Sequence, residues 1–197
     1  MGASGAGREQ VDALRGLLAR NIAIGSILDR APELGLPHWY LGAGCIAQTA
    51  WNVLSGFPAG RAIEDYDLVY YDATDLSAEA EARRAGQAAE LFRDLGVRVD
   101  LKNEARVHLW YASRFGYAIA PYRSTEDAID CWPTTATAVG VRTLGVAAEV
   151  YAPFGLDDLL AMIVRPNRRQ ITEAIYRAKV ARWVAAWPAL TIVAWDG

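Results

Sequence analysis

This chain is short of sulfur and has no surplus of positive charge. Only two of its 197 residues are cysteines. Neither Cys45 nor Cys131 belongs to a CxxC pair or a Cys/His cluster. That excludes a disulfide framework and gives no reason to expect zinc. No apolar run approaches the length that spans a bilayer, so no membrane partner is expected. No N-terminal stretch has the make-up of a signal peptide, and a reducing cytoplasm is the expected location. The net charge is −3, which argues against a general electrostatic grip on nucleic acid but allows a local basic surface. Internal repeats are absent too. What is present is ordinary globular composition, 53% hydrophobic and 22% charged. A chain of this length has room for one sizeable core, alone or with an appended helical lobe. Seven Trp and nine Tyr are many for that length, and most are expected inside.

Beyond the Gly/Ala/Ser-rich start, Val11, Leu14, Leu17, Leu18, Ile24 and Leu28 recur at helical spacing. They predict one amphipathic helix over about 9–30, ended by Gly35 and Pro37. His38-Trp39-Tyr40-Leu41 reads as a strand, Gly42-Ala43-Gly44 as a tight turn, and the stretch carrying Ile46, Ala50, Val53 and Leu54 as a helix. Asp65 to Asp72 is short and rich in β-formers, hence a strand. A helix follows to about Leu95, capped by Asp75 or Ser77 and closed by Gly96. Val97, Val99 and Leu101 then alternate with Arg98, Asp100 and Lys102, a half-buried strand with one polar face. Shorter elements are expected after it: helices over about 104–111 and 124–131, strand pieces at 137–142 and 149–151 around Leu144-Gly145, a helix over 155–164, and a last helix over about 169–187. The chain is thus read as one domain, with an N-terminal helix, a core over about 37–112 and a C-terminal strand-and-helix part.

Two features point to chemistry. In a strand, residues two apart share a face, so Asp65 and Asp67 project side by side, roughly 6 to 7 Å apart at Cα. Two like charges held so close repel, and a divalent cation relieves them by taking an oxygen from each. Magnesium favours such hard oxygen ligands, completed by phosphate and water. If the Asp100 strand lies alongside, it supplies a third carboxylate, a set that suits two-metal nucleotidyl transfer. Asp100 is also a candidate for taking the proton of an attacking hydroxyl. The second feature is Gly42-Ala43-Gly44 at a helix start, where backbone N–H groups and missing side chains favour a phosphate. Gly42-x-Gly44-x-x-Ala47, with Asp65 about twenty residues on, also matches a dinucleotide-binding fingerprint. That alternative is disfavoured because Asp65 begins its strand instead of ending one, and no second run of alternating strands and helices follows.

Leu41-Gly42-Ala43-Gly44, Asp65-Tyr66-Asp67 and Asp100 together resemble the polymerase-β-like nucleotidyltransferase superfamily. The stretches 39–54, 64–72, 102–111, 132–142 and 165–167 are similar to a group of small bacterial nucleotidyltransferase family proteins. The resemblance implies an α+β fold, a mixed β-sheet flanked by helices with a helical C-terminal part. It implies a metal-dependent enzyme that moves a nucleoside monophosphate from a nucleoside triphosphate to a hydroxyl acceptor, a small molecule, a protein or RNA. Asp65, Asp67 and Asp100 would hold magnesium or manganese, and Gly42, Ala43 and Gly44 the phosphates. Where the superfamily turn usually offers a serine after its glycine, this chain has Cys45. That departure motivates the alternative of a non-catalytic nucleotide-binding sensor or interaction module on the same fold.

Asn103 and Arg106 follow the Asp100 strand and are candidates for the base or sugar and for a phosphate. His108 reads as a structural histidine, and Arg142 as a surface ion-pair former. Thr134, Thr135 and Thr137 read as turn formers. Arg165, Arg168, Arg169, Arg177, Lys179 and Arg182 make the C-terminal part basic, read here as a charged outer helix face. Trp183 and Trp187, four apart, read as core.

Overall fold

The computed structural model describes residues 7–144 and 147–196. The Gly/Ala/Ser-rich start before residue 7 and Gly145 of the expected Leu144-Gly145 turn lie outside them. The expected N-terminal helix is two helices, α1 (Arg8–Leu18) and α2 (Ile22–Arg30). The break falls at Asn21, whose side chain accepts from the N–H groups of Ala23 and Ile24 and so caps α2. Its amide nitrogen donates to the buried Thr49 hydroxyl at 2.9 Å. Hydrophobic spacing that runs on in phase hid this interruption.

Next come β1 (Tyr40–Gly42), α3 (Gly44–Leu54) and β2 (Tyr66–Tyr70). α4 (Ala78–Leu91) is capped by the Ser77 hydroxyl, and β3 (Val99–Asn103) follows it. α5 (Val107–Phe115) and α6 (Thr125–Ile129) lead to the hairpin of β4 (Gly140–Leu144) and β5 (Ala147–Tyr151). These five strands form one sheet in the order β3-β2-β1-β4-β5. Only β2 and β3 run parallel; the other pairings are antiparallel. An antiparallel β1–β2 pair excludes the dinucleotide-binding unit, whose strands run parallel through a helical crossover.

The helix expected over 155–164 shrinks to α7 (Asp157–Leu160). Met162 takes a positive φ of 56°, which turns the chain out of the helix. β6 (Ile163–Val164) then pairs in parallel with β7 (Thr191–Ile192), across α8 (Glu173–Ala186), which the Thr172 side chain caps.

The faces of the large sheet differ. Leu41, Leu68, Tyr70 and Leu101 belong to the main core with Cys45, Ile46, Trp51 and Phe92. The opposite face carries Tyr40 and Val69, packed with Ile129, Ala138 and Trp132. Register places Gly42 opposite Asp67, and Asp67 opposite Asp100, so all three share that second face. α8 is anchored to α3 by indoles. The Trp51 ring meets Trp183 and Trp187 edge-on at 5.6 and 5.8 Å, and the Trp187 Nε1–H donates to Asn52 Oδ1 at 2.7 Å. Both tryptophans are buried, as their spacing predicted.

Candidate active site

The second face of the sheet floors a cleft of about 770 Å³. Asp65, Asp67 and Asp100 line one side of it, and Arg114, Lys179 and Arg182 also border it. The parallel pairing of β2 with β3 makes Asp67 and Asp100 direct neighbours, and Asp65 precedes β2 by one residue. Burial raises the Asp67 carboxyl, and Asp65 and then Asp100 add to the effect, against the pull of Lys102 and Lys179. The result is a group pushed up to about 6.

Asp100 is not free. Lys102, two residues on and on the same face, donates to its carboxylate, and Arg98 approaches to 3.8 Å. Burial works against the charge of Lys102, but its hydrogen bond to Asp100 and the nearby acids carry its pKa above the usual lysine value. Among the described residues no three acidic, histidine or cysteine side chains are grouped to hold one metal ion. The expected trio therefore lines one cleft without forming a ready three-ligand cage. The pair Asp65 and Asp67 still fits a magnesium or manganese ion, which needs only one or two carboxylates beside phosphate and water. The raised Asp67 carboxyl is the local sign of charge awaiting compensation.

The glycine turn departs from the expected cradle. Gly42 is buried, and a Cβ there would lie 2.7 Å from Trp132 and from the Val139 carbonyl oxygen. Its missing side chain admits a tryptophan. The Ala43 N–H donates to Val139 O at 3.1 Å, so it is engaged within the protein. Ala43 itself takes a positive φ of 58°. Gly44 opens α3, which starts with no side-chain cap, and a Cβ there would press only on the flexible Gln48 side chain. Gln48, one turn further on, lines the cleft. Cys45 is buried; its thiol donates to Gly42 O at 3.1 Å, and burial holds it well above the usual thiol pKa.

Two expected contacts fall elsewhere. Asn103 sits on the other side of β3 from Asp100, because residues three apart in a strand face opposite ways. Its Oδ1 accepts from Asp72 and Ala105 N–H groups and its Nδ2 donates to Asp72 O. Arg106 donates to Leu76 O and to Glu81 on α4. Both residues are buried and hold the β3–α5 connection against α4. Neither lines the cleft.

In their place the structure brings residues read as incidental. Lys179, Arg182, Trp183, Ala186 and Trp187 all line the cleft. They follow the i, i+3, i+4, i+7, i+8 pattern of one helix face, so the cations share the stripe that packs the indoles. Burial lowers the Lys179 pKa, with Arg182 adding to the effect, and Asp67 and Asp65 oppose it. Elsewhere in this part, Arg165, Arg169 and Arg177 pair with Asp158, Asp130 and Glu173. On α5, Trp110 and Arg114 border the cleft, and Lys102 does so from β3. The phase with Trp183 and Trp187 was the signal for Lys179 and Arg182. The alternation with Asp100 was the signal for Lys102.

Opening beside Asp67 and Lys102 is a side chamber of about 270 Å³. Glu104 lines it and is only 5% exposed. Burial, reinforced by Asp67 and Glu81 and opposed by Lys102, pushes its carboxyl up to about 8.

No curated protein matches the chain. A solved NMR structure of a CCA-adding enzyme head domain is similar to it at 27% identity, with a TM-score of 0.75 over 95% of this chain and 96% of the other. A protein-family model for nucleotidyltransferases matches residues 29–192, which takes in every strand of both sheets. The chain belongs to the nucleotidyltransferase family and has the polymerase-β-like nucleotidyltransferase fold, here an α+β architecture around a mixed five-stranded sheet.

Proposed function

We propose that the protein transfers a nucleoside monophosphate from a nucleoside triphosphate to a hydroxyl acceptor, releasing pyrophosphate, with magnesium or manganese as cofactor. The observation that carries this reading is a cleft bordered both by carboxylates on the sheet and by cations on α5 and α8. A metal-bound triphosphate needs that combination, acidic oxygens for the ion and cations for the phosphate oxygens that the ion leaves uncovered. Asp65 and Asp67 would hold the ion, which when bound stabilises charge developing on the transferred phosphoryl group. Lys179, Arg182 and Arg114 would grip the phosphates, joined by the uncapped start of α3 at Gly44. Asp100 would face the acceptor, in position to take the hydroxyl proton as the new phosphoester bond forms and the bond to pyrophosphate breaks.

The acceptor class is open to trial among small hydroxyl compounds, proteins and RNA. The CCA-adding description of the structural neighbour puts an RNA end early in that series. The test is incubation with magnesium, each α-labelled nucleoside triphosphate and a panel of acceptors, read as label transfer and pyrophosphate release. Asp65→Asn and Asp67→Asn should abolish both metal-dependent nucleotide binding and transfer. If neither changes, the reading fails. The Asp100–Lys102 pair and the inward Cys45 thiol favour a second reading, a nucleotide sensor. Calorimetry separates the two, since tight triphosphate binding without metal dependence or turnover belongs to a sensor.

A further inference from the structure

The side chamber differs in character from the cleft it joins. Its walls include Tyr111, Phe115, Tyr122 and Trp132, and it shares Asp67, Lys102, Trp110, Arg114 and Lys179 with the cleft. A ligand spanning both would have a charged end among the lysines and a flat, weakly polar end among the rings. The rings are fixed before any ligand arrives. The Tyr111 hydroxyl meets that of Tyr117 at 3.1 Å, Tyr117 donates to Gln170 O, and Tyr122 hydrogen-bonds the Gln170 side chain. Trp132 is seated in the space that Gly42 leaves open.

Glu104, nine-tenths buried, lines this chamber. A carboxyl held at the wall of a cavity is placed to hydrogen-bond whatever enters it. Alternation along β3 and into the following turn sets Asp100, Lys102 and Glu104 in one row from cleft to chamber. As a neutral acid, Glu104 presents an O–H donor beside a carbonyl acceptor. The edge of a nucleobase, a ring nitrogen beside an amino or keto group, is the complement.

We propose that this chamber receives the base of the nucleoside triphosphate, stacked against the aromatic walls, with Glu104 hydrogen-bonded to the base edge as the specificity-determining residue. The proposal rests on the cleft being the triphosphate site and adds the recognition of the nucleoside. The experiment compares magnesium tripolyphosphate, which has no base, with each of the four nucleoside triphosphates by calorimetry, in wild type, Glu104→Gln and Glu104→Leu.

Wild type should bind at least one nucleoside triphosphate more tightly than tripolyphosphate. Glu104→Leu should lose roughly tenfold of that advantage and flatten the differences among bases. Its tripolyphosphate binding should stay unchanged and its Tm should not fall. Glu104→Gln keeps a donor and an acceptor and should stay within a few-fold of wild type for at least one base. A base advantage that survives Glu104→Leu, or none in wild type, overturns the chamber while leaving the cleft reading intact. A wild-type protein that binds neither tripolyphosphate nor any nucleoside triphosphate sinks both. A drop in Tm for Glu104→Leu with binding unaltered makes Glu104 structural and also overturns the proposal.

Discussion

Asp67→Asn should make the ligand-free protein more stable at neutral pH, although it removes the residue most central to the cleft. The carboxyl is moved from 3.8 to about 6 by burial, by Asp65 and by Asp100. Ionising it at pH 7 therefore costs the folded state about 3 kcal/mol at most. The sign follows from proton counting. Between about pH 4 and 6 the folded protein keeps a proton that the unfolded chain has released, so stability falls as pH rises through that window. Above it the full cost is present, and below it the cost vanishes. An amide carries no charge and escapes the cost. For a chain of this length, 2 to 3 kcal/mol corresponds to a Tm higher by roughly 5 to 10 °C at pH 7.5. At pH 4 the variant and wild type should melt together. Thermal melts in chelator at several pH values read this directly. Adding magnesium should raise the wild-type Tm and leave the variant nearly unmoved, narrowing the gap. A variant less stable than wild type at pH 7.5, or a gap that does not depend on pH, would refute the account of Asp67 as a carboxyl raised by burial and by its acidic neighbours.

Other substitutions test the remaining assignments. Lys179→Ala should weaken triphosphate binding by about 10- to 100-fold, as measured by calorimetry, the loss of a charge-assisted contact, with the fold intact by circular dichroism. Asn103→Ala should cost about 2 to 4 kcal/mol in urea unfolding while leaving nucleotide affinity unchanged, because its hydrogen bonds join Asp72 and Ala105. Gly42→Ala should destabilise by about 2 kcal/mol or more, since its Cβ would meet a backbone oxygen as well as the Trp132 ring. Asn21→Ala should cost about 1 to 2 kcal/mol through the lost α2 cap, with the melting of α2 followed by amide exchange.

Most of the architecture was legible wherever a period was clean. Alternation at Val99, Asp100, Leu101 and Lys102 gave β3 and its polar face, and Asp65 to Asp72 contained β2. The parallel β2–β3 pairing, which makes Asp67 and Asp100 neighbours, is a tertiary fact no local pattern records. Asn21 was invisible as a cap because apolar spacing continued through it. Asn103 and Arg106 were over-read: adjacency in sequence suggested the site, whereas the strand's two-residue period turned Asn103 to the other face. Lys179 and Arg182 were under-read, since a charge on a helix is most often solvated, and only their phase with Trp183 and Trp187 pointed inward. Gly42 was singled out for the close approach of a phosphate, and in the fold an indole and a carbonyl oxygen come close to it.

The indole contacts between α3 and α8 have a consequence for selectivity. They pin α8 to α3 and so set the width of the gap between sheet and α8. Close-packed rings resist compression and spreading alike. Under the proposed function, a guest too bulky for that gap would be turned away before any hydrogen bond is tried.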